Sequence, residues 1–103
     1  MLSLLIPTYN FDCLLLIQEL HEQCEALRAA DGEFDYEIVV ADDCSPQKDF
    51  VRALQEAAEQ LGERVRLLAL SKNVGRAAVR NRLLSEARGA WVVLMDSDAR
   101  VVR

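Results

Sequence analysis

Four short apolar runs alternate along the chain with three longer segments whose apolar residues recur every three or four positions. The apolar runs cover residues 2–6, 36–41, 65–70 and 90–95, and the periodic segments cover residues 12–29, 48–61 and 75–87. Short, continuous runs rich in β-branched residues are typical of strands that are buried on both faces of a parallel sheet. The alternation therefore predicts an α/β three-layer sandwich, with a mostly parallel sheet of about four strands and helices on both faces.

Three residues at segment boundaries support this division. Pro7 follows the first apolar run and is predicted to close the first strand. Asp12 can cap the first helix by accepting a backbone N–H, and Gly62 is predicted to end the second helix.

Composition and charge narrow the class of protein. The 103 residues carry 12 basic and 17 acidic side chains, a formal net charge of −5, and 51% of them are hydrophobic. This predicts one folded domain, residues 1–103, and argues against both disorder and nucleic-acid binding, which needs a basic face. No apolar run approaches the roughly 20 residues that span a bilayer, and residues 1–6 lack the basic start of a signal peptide. Cys13, Cys24 and Cys44 show no metal-type spacing, so we interpret them as reduced thiols of a cytoplasmic protein.

Polar residues follow each of the four predicted strands. They occupy residues 7–10, 42–45, 71–76 and 96–98, whereas the opposite strand ends carry ordinary connectors. Because open parallel sheets bind ligands beyond the carboxyl ends of their strands, the four stretches predict a single site.

Asp96 and Asp98 are two positions apart at the end of the fourth strand. If the chain stays extended there, both side chains leave the same face. Paired carboxylates repel unless a cation lies between them, and oxygen ligands suit Mg²⁺ or Mn²⁺, which could bridge an acidic protein to a diphosphate. The alternative is a solvated turn with a capping role.

The other polar stretches have two interpretations each. Asp42 and Asp43 can belong to a ligand site or to an Asx turn at a strand exit. Tyr9 can offer its ring to a nucleobase or pack in the core. Arg76 and Arg80, four apart on one helical face, can hold phosphate, form a solvated face, or pair with Asp and Glu side chains.

The combination of motifs resembles the family 2 glycosyltransferases of the GT-A fold, which use nucleotide-diphosphate sugars. The resemblance lies in LLIPTYN at residues 4–10, EIVVADDCS at 37–45, NVGRAAVRN at 73–81 and RGAWVVLMDSD at 88–98. Each motif is weak alone, but the four occur in family order over nearly the whole chain. The resemblance implies the Rossmann-like N-terminal half of the GT-A fold, and an inverting, hexosyltransferase-type enzyme.

The resemblance also implies roles for single residues. Tyr9, in a segment that lines the base pocket, would lie near a uracil-type ring, and Asp43 would accept a hydrogen bond from the base imide. Asp96 would contact the ribose or the waters of the metal, and Asp98 would ligate Mn²⁺ or Mg²⁺. The implied nucleotide-binding residues are Pro7, Thr8, Tyr9, Asp43, Asn73, Gly75, Arg80 and Asp96, and the implied metal ligands are Asp98 and Asp96. The expected partners are a nucleotide-diphosphate sugar, with a UDP-sugar favoured, and an unknown acceptor.

The chain departs from the family pattern in two places. Cys44 stands where many relatives have glycine or asparagine. The sequence also stops at Arg103, before the acceptor half in which the family keeps its general base. We therefore expect a truncated donor-binding part that transfers no sugar alone and self-associates through apolar surface around residues 91–95, Val101 and Val102. We expect its parent at the cytoplasmic membrane surface or in the cytoplasm.

Two other functions remain open at this level. One is a non-catalytic module that binds nucleotide sugars. The other is a phosphoacceptor receiver-like domain, which also gathers acids around Mg²⁺ but needs a phosphoacceptor Asp after the third strand and a Lys after a fifth. A dinucleotide-dependent dehydrogenase is excluded, because no G-x-G-x-x-G follows the first strand.

Overall fold

The computed structural model describes residues 1–99, and its elements follow the predicted order. They are β1 (Leu2–Thr8), α1 (Leu14–Ala30), β2 (Tyr36–Asp42), α2 (Lys48–Leu61), β3 (Val65–Ala69), α3 (Arg76–Glu86) and β4 (Trp91–Leu94). Every predicted strand and helix is present, with boundaries that differ from the predicted ones by at most two residues. The expectations for Val101 and Val102 lie outside the described residues.

The four strands form one parallel sheet in the order β3-β2-β1-β4. Leu2 of β1 pairs with Tyr36 of β2 on one side and with Trp91 of β4 on the other. The chain adds β2 and β3 on one side of β1, and then returns to place β4 on the opposite side. The strand order therefore reverses beside β1, which is where open α/β sheets form a ligand crevice.

The helices cover both faces of the sheet, as predicted. On one face, α1 and α2 pack over the larger core cluster, which includes Ile6, Leu16 and Leu54. On the other face, Val79 of α3 packs over a smaller cluster with Leu5. The change of face accompanies the reversal of strand order, as right-handed crossovers require.

Pro7 lies inside β1 rather than at its end, so the prediction that it closes the strand is wrong. The carbonyl of Leu5 accepts the N–H of Met95 on the β4 side at 2.9 Å, and the carbonyl of Thr8 accepts the N–H of Asp43 on the β2 side at 2.9 Å. Because successive residues of a strand bond to alternate sides, the nitrogen of Pro7 faces the β4 side, beyond the end of β4. Its missing N–H therefore leaves no ladder bond unmade.

The helix ends lie within two residues of the predicted ones, but the N-cap residue of α1 is Cys13, whose side chain makes no capping bond. Asp12 accepts the N–H of Leu14 through Oδ1 at 2.9 Å, although α1 itself begins only at Leu14. Gly62 follows α2 with a φ of +102°, a left-handed conformation that glycine adopts without strain. Within residues 1–99, no helix has the length and apolarity needed to cross a membrane.

Strand β4 forms one edge of the sheet and is poorly covered. Trp91 is 75% exposed, and Val92, Val93 and Leu94 are each more than 40% exposed. The predicted apolar surface on this strand is therefore present. An uncovered apolar edge is a favourable place for another strand to add.

A buried polar network closes the amino end of the sheet, and nothing in the sequence pattern predicts it. Glu37 Oε2 accepts hydrogen bonds from Ser3 Oγ at 2.6 Å and from the backbone N–H of Arg88 at 2.7 Å. Glu37 Oε1 accepts one from Arg66 Nη2 at 3.1 Å, and Ser3 Oγ accepts the N–H of Gly89 at 2.9 Å. Burial opposes ionisation of Glu37, but these donors outweigh it and hold the pKa of the carboxyl below its ordinary value.

Candidate functional site

A cavity of about 570 Å³ opens at the carboxyl end of the sheet, beside the reversal of strand order. Its lining includes all nine implied site residues, namely Pro7, Thr8, Tyr9, Asp43, Asn73, Gly75, Arg80, Asp96 and Asp98. Residues from all four strand exits therefore meet in one place, as the sequence pattern predicts.

The segment after β1 presents two aromatic rings at this cavity. Thr8 Oγ1 donates to the carbonyl of Phe11 at 3.0 Å, and the N–H of Asn10 donates to Ser45 Oγ at 2.7 Å. These bonds hold residues 8–11 in a bend in which Asn10 has a φ of +51°. Tyr9 and Phe11 are 51% and 46% exposed, so the alternative of Tyr9 as a core residue is excluded.

Asp42 stabilises the turn after β2, which is one of the two roles that the sequence left open. It is 1% exposed, and its Oδ2 accepts the N–H of Ser45 at 2.9 Å while its Oδ1 accepts Ser45 Oγ at 2.6 Å. This turn includes Cys44 at a φ of +59°, a conformation that glycine or asparagine would adopt more readily. Asp42 is absent from the cavity lining, so it stabilises the strand exit, although its backbone bond reaches three residues along the chain rather than the two of an Asx turn.

Asp43 lies in the cavity wall, with its carboxylate bound to the loop that precedes α3. Oδ1 accepts the N–H of Val74 at 2.8 Å, and Oδ2 accepts the N–H of Gly75 at 3.0 Å. In return, Asn73 Nδ2 donates to the carbonyl of Asp43 at 3.1 Å. Asp43 is 5% exposed, and these two backbone donors occupy about half of the accepting capacity of its carboxylate.

The acidic pair lies in a turn, so the assumption of an extended chain through Asp96 and Asp98 is wrong. β4 ends at Leu94, and the N–H of Ala99 donates to the carbonyl of Asp96 at 3.0 Å. Both carboxylates are exposed and line the cavity, with Ser97 between them. Within residues 1–99, no group of three His, Cys, Asp or Glu side chains could hold a metal ion.

Two arginines line the cavity from α3. Arg76 and Arg80 lie one turn apart on this helix, and both are exposed. The described ion pairs of α3 join Arg82 and Arg66 to Glu86, and no ion pair described within residues 1–99 includes Arg76 or Arg80. Pairing with acids therefore finds no support there, whereas the exposure of both side chains fits either a solvated face or an anion site.

Sequence reasoning left four cavity residues off its list of ligand contacts: Phe11, Arg76, Val79 and Ser97. Arg76 was recognised only through its spacing from Arg80. Phe11 carries a signal that could have found it, since it is an aromatic residue just beyond a strand exit and within a short polar bend.

The cysteines contribute no nucleophile to this site. Burial raises the pKa of Cys13 to about 11, against an opposing hydrogen bond with Thr8, and burial also raises the pKa of Cys24 to about 11. Both thiols therefore stay protonated near neutral pH. Cys44, in contrast, is partly exposed.

The glycosyl transferase family 2 model matches residues 3–102 of the chain. Among solved structures, S. aureus TarS residues 1–349 match with a TM-score of 0.70 and 28% identity over 94% of this chain and 27% of that one. The mannosyltransferase PcManGT from Pyrobaculum calidifontis, in complex with GDP-Man and Mn²⁺, matches with a TM-score of 0.62 and 25% identity, covering 94% and 27%. A structure of TarS in complex with UDP also matches, with a TM-score of 0.62.

Two curated relatives are glycosyltransferases by name. A putative teichuronic acid biosynthesis glycosyltransferase of Bacillus subtilis is 36% identical over 63 residues, 61% of this chain and 24% of its own length. The human dolichyl-phosphate beta-glucosyltransferase is 27% identical over 94% of this chain and 31% of its own length. The chain thus spans about a quarter to a third of these relatives.

Proposed function

Because this chain belongs to glycosyl transferase family 2, we propose that its cavity binds the nucleotide-diphosphate sugar donor of an inverting, metal-dependent glycosyl transfer. The observation that carries the proposal is the cavity at the strand-order reversal, with two carboxylates from the β4 exit and two arginines from α3 in its wall. Open α/β sheets bind nucleotides at this position.

The aromatic end of the cavity suits a nucleobase. Tyr9 and Phe11 expose their rings there, and a flat apolar ring face can stack against a base. A uridine nucleotide is our first choice, because a TarS structure contains UDP, whereas the PcManGT structure contains GDP-Man. We propose that the sugar is a hexose.

The acidic end suits a divalent cation. Asp96 and Asp98 supply hard oxygen ligands, and Mg²⁺ or Mn²⁺ usually takes only one or two carboxylates together with substrate phosphates and water. A cation bound there would neutralise the charge of the departing diphosphate. The Mn²⁺ in the PcManGT complex supports this assignment.

The remaining side chains would hold the donor for attack. Arg76 and Arg80 can donate hydrogen bonds to the diphosphate oxygens, which orients the anomeric carbon toward an acceptor. In the whole protein, an acceptor hydroxyl would attack that carbon from the opposite face, inverting it, and its proton would pass to a general base. None of the described residues is assigned as that base. We place the reaction in polysaccharide biosynthesis, with the acceptor unassigned, and its cytoplasmic location stays a prediction.

Nucleotide titration by calorimetry tests the donor site. We expect UDP to bind in the high micromolar to millimolar range with Mn²⁺, about −4 to −6 kcal/mol, and a chelator to abolish binding. Asp98→Ala should have the same effect as the chelator. Asp49→Ala is the matched control, since its side chain is fully exposed and outside the cavity. Unchanged affinity in Asp98→Ala would contradict the metal role, and a full-length protein that binds donor without transferring sugar would favour a non-catalytic module.

We also propose that the chain self-associates through the β4 edge in a two-fold antiparallel pairing. Arg88 precedes β4 and Asp96 follows it, so two antiparallel copies would place opposite charges near each other at both ends. The exposed side chains of Trp91 and its neighbours would be covered by the second copy. Light scattering across a concentration series tests this, with Val92→Lys expected to favour the monomer because edge lysines oppose strand addition. A wild-type chain that stays monomeric at every concentration would refute it.

A further inference from the structure

The loop before α3 is fixed by Asp43 through contacts that run in both directions. The Asp43 carboxylate accepts the N–H groups of Val74 and Gly75 at 2.8 and 3.0 Å, while Asn73 Nδ2 donates to the Asp43 carbonyl at 3.1 Å. We call these residues, Asp43 with 73–75, the loop clamp. It joins the exit of β2 to the start of α3.

The loop clamp matters because α3 has no side-chain cap at its N-terminal end. Gly75 is the residue before the helix, with a φ of +92°, and it has no side chain that could cap the free N–H groups. The carboxylate of Asp43 instead holds the two residues before the helix, Val74 and Gly75, and puts a negative charge near the positive end of the helix. The buried residues of α3, Val79 and Leu83, lie one and two turns further along.

The arginines of the cavity are carried by this same helix start. Arg76 is the first residue of α3 and Arg80 lies one turn later, and both line the cavity together with Asp96 and Asp98. A shift of the first turn of α3 would therefore move both guanidinium groups relative to the acidic pair. A displacement of about 1 Å takes an N–H to oxygen hydrogen bond of ordinary length beyond its effective range.

We infer that Asp43 is a positioning residue for the diphosphate, acting through Val74 and Gly75 on the placement of Arg76 and Arg80. This inference rests on the proposed function, since it names what the helix placement is for. A carboxylate can accept about four hydrogen bonds, so Asp43 has capacity for a base N–H in addition to its two backbone donors. One side chain then couples the base end of the cavity to its phosphate end.

Two probes separate positioning from direct base recognition. Inorganic pyrophosphate with Mn²⁺ has no base, whereas UDP with Mn²⁺ has base, ribose and diphosphate. In Asp43→Asn, we expect the affinity for both probes to fall roughly tenfold, because one of the two charged hydrogen bonds that hold the loop becomes a repulsive N–H to N–H contact. A loss confined to UDP, with pyrophosphate unchanged, would overturn the inference and leave the proposed function standing.

Asp42→Asn is the matched control, because Asp42 is an equally buried neighbouring carboxylate that contacts Ser45 and not the clamp. We expect pyrophosphate affinity within about twofold of wild type for this variant, provided circular dichroism shows it folded. An equal loss in both variants would overturn the inference, since it would indicate a diffuse charge effect. If wild type binds neither probe, the proposed function itself fails, and the inference with it.

Amide hydrogen exchange supplies a readout that needs no ligand. In folded Asp43→Asn, the N–H groups of Val74 and Gly75 should exchange faster, as should the first turn of α3, while α1 and α2 keep their protection. Wild-type protection at Val74 and Gly75 in the variant would overturn the inference, because the clamp would then be unnecessary for the loop.

Discussion

Gly89 lies where the chain leaves α3 and approaches the start of β1, and it leaves no room for a side chain. A Cβ built at this position would come within 2.5 Å of the carbonyl oxygen of Met1 and 2.7 Å of Ser3 Oγ. Its own N–H donates to Ser3 Oγ at 2.9 Å, and the next residue but one, Trp91, donates to the Met1 carbonyl at 3.4 Å. Gly89→Ala should therefore force β4 away from β1 at this end of the sheet.

The expected loss in the free energy of unfolding of Gly89→Ala is the sum of two effects. Forcing an extra carbon into a packed site destabilises by about 1–3 kcal/mol. Losing the hydrogen bond from Gly89 to Ser3 adds about 1 kcal/mol, and more if the neighbouring bond from Arg88 to Glu37 lengthens as well. We expect a loss of about 2–4 kcal/mol from the free energy of unfolding, which for a domain of this size lowers Tm by roughly 10–25 °C.

Urea unfolding followed by circular dichroism measures this loss, with an unchanged slope as the sign of an unchanged two-state transition. The matched control is Gly32→Ala, the same substitution in an exposed turn where a new Cβ would meet nothing within 4 Å. That variant should lie between neutral and about 1 kcal/mol more stable than wild type. If Gly89→Ala unfolds at the same urea concentration as Gly32→Ala, the close approach of Gly89 to β1 is wrong.

Three further outcomes follow from buried groups. The folded-state pKa of Glu37 lies below its ordinary value, so the ionised Glu37 stabilises the fold above that ordinary pKa, and this stabilisation is lost as pH falls through the folded-state pKa. In Glu37→Gln, the urea midpoint should therefore decrease less on acidification than in wild type. Iodoacetamide at pH 8 should label Cys44 in the folded protein, and Cys13 and Cys24 only after unfolding, as mapped by mass spectrometry; equal labelling of all three would contradict their burial. Asp42→Asn should cost about 1–3 kcal/mol in urea unfolding, because the amide oxygen can replace only one of the two carboxylate oxygens that Ser45 binds, and an unaffected midpoint would contradict that role.

The elements that hydrophobic periodicity governs could be predicted from the sequence. Helix α2 has its apolar residues at regular helical spacing and glycine directly after it, and it begins and ends where predicted. Pro7 shows the limit of a local rule, because its effect depends on whether a neighbouring strand reaches it. That information lies in the register of β4 against β1, which a run of residues does not contain.

The candidate site was predicted as a set of residues but not as a set of contacts. Strand-exit position and family resemblance together were enough to predict that Asp43, Asp96 and Asp98 share one site, and all three line the cavity. The backbone partners of Asp43 are more than thirty residues away along the chain, so no local pattern could show them. The network of Glu37 with Ser3 was missed for the same reason.

A carboxylate at each end of helix α3 attaches it to β2 or to the residue just after β2. These two contacts bear on which part of the protein unfolds first. Asp43 holds the residues before the helix, and Glu37 accepts the N–H of Arg88 just after it. With few buried apolar side chains of its own, α3 should be the first helix to detach in sub-global opening, with α1 and α2 still folded. A diphosphate bound by Arg76 and Arg80 would oppose that opening, so ligand protection against proteolysis should be concentrated in residues 73–88.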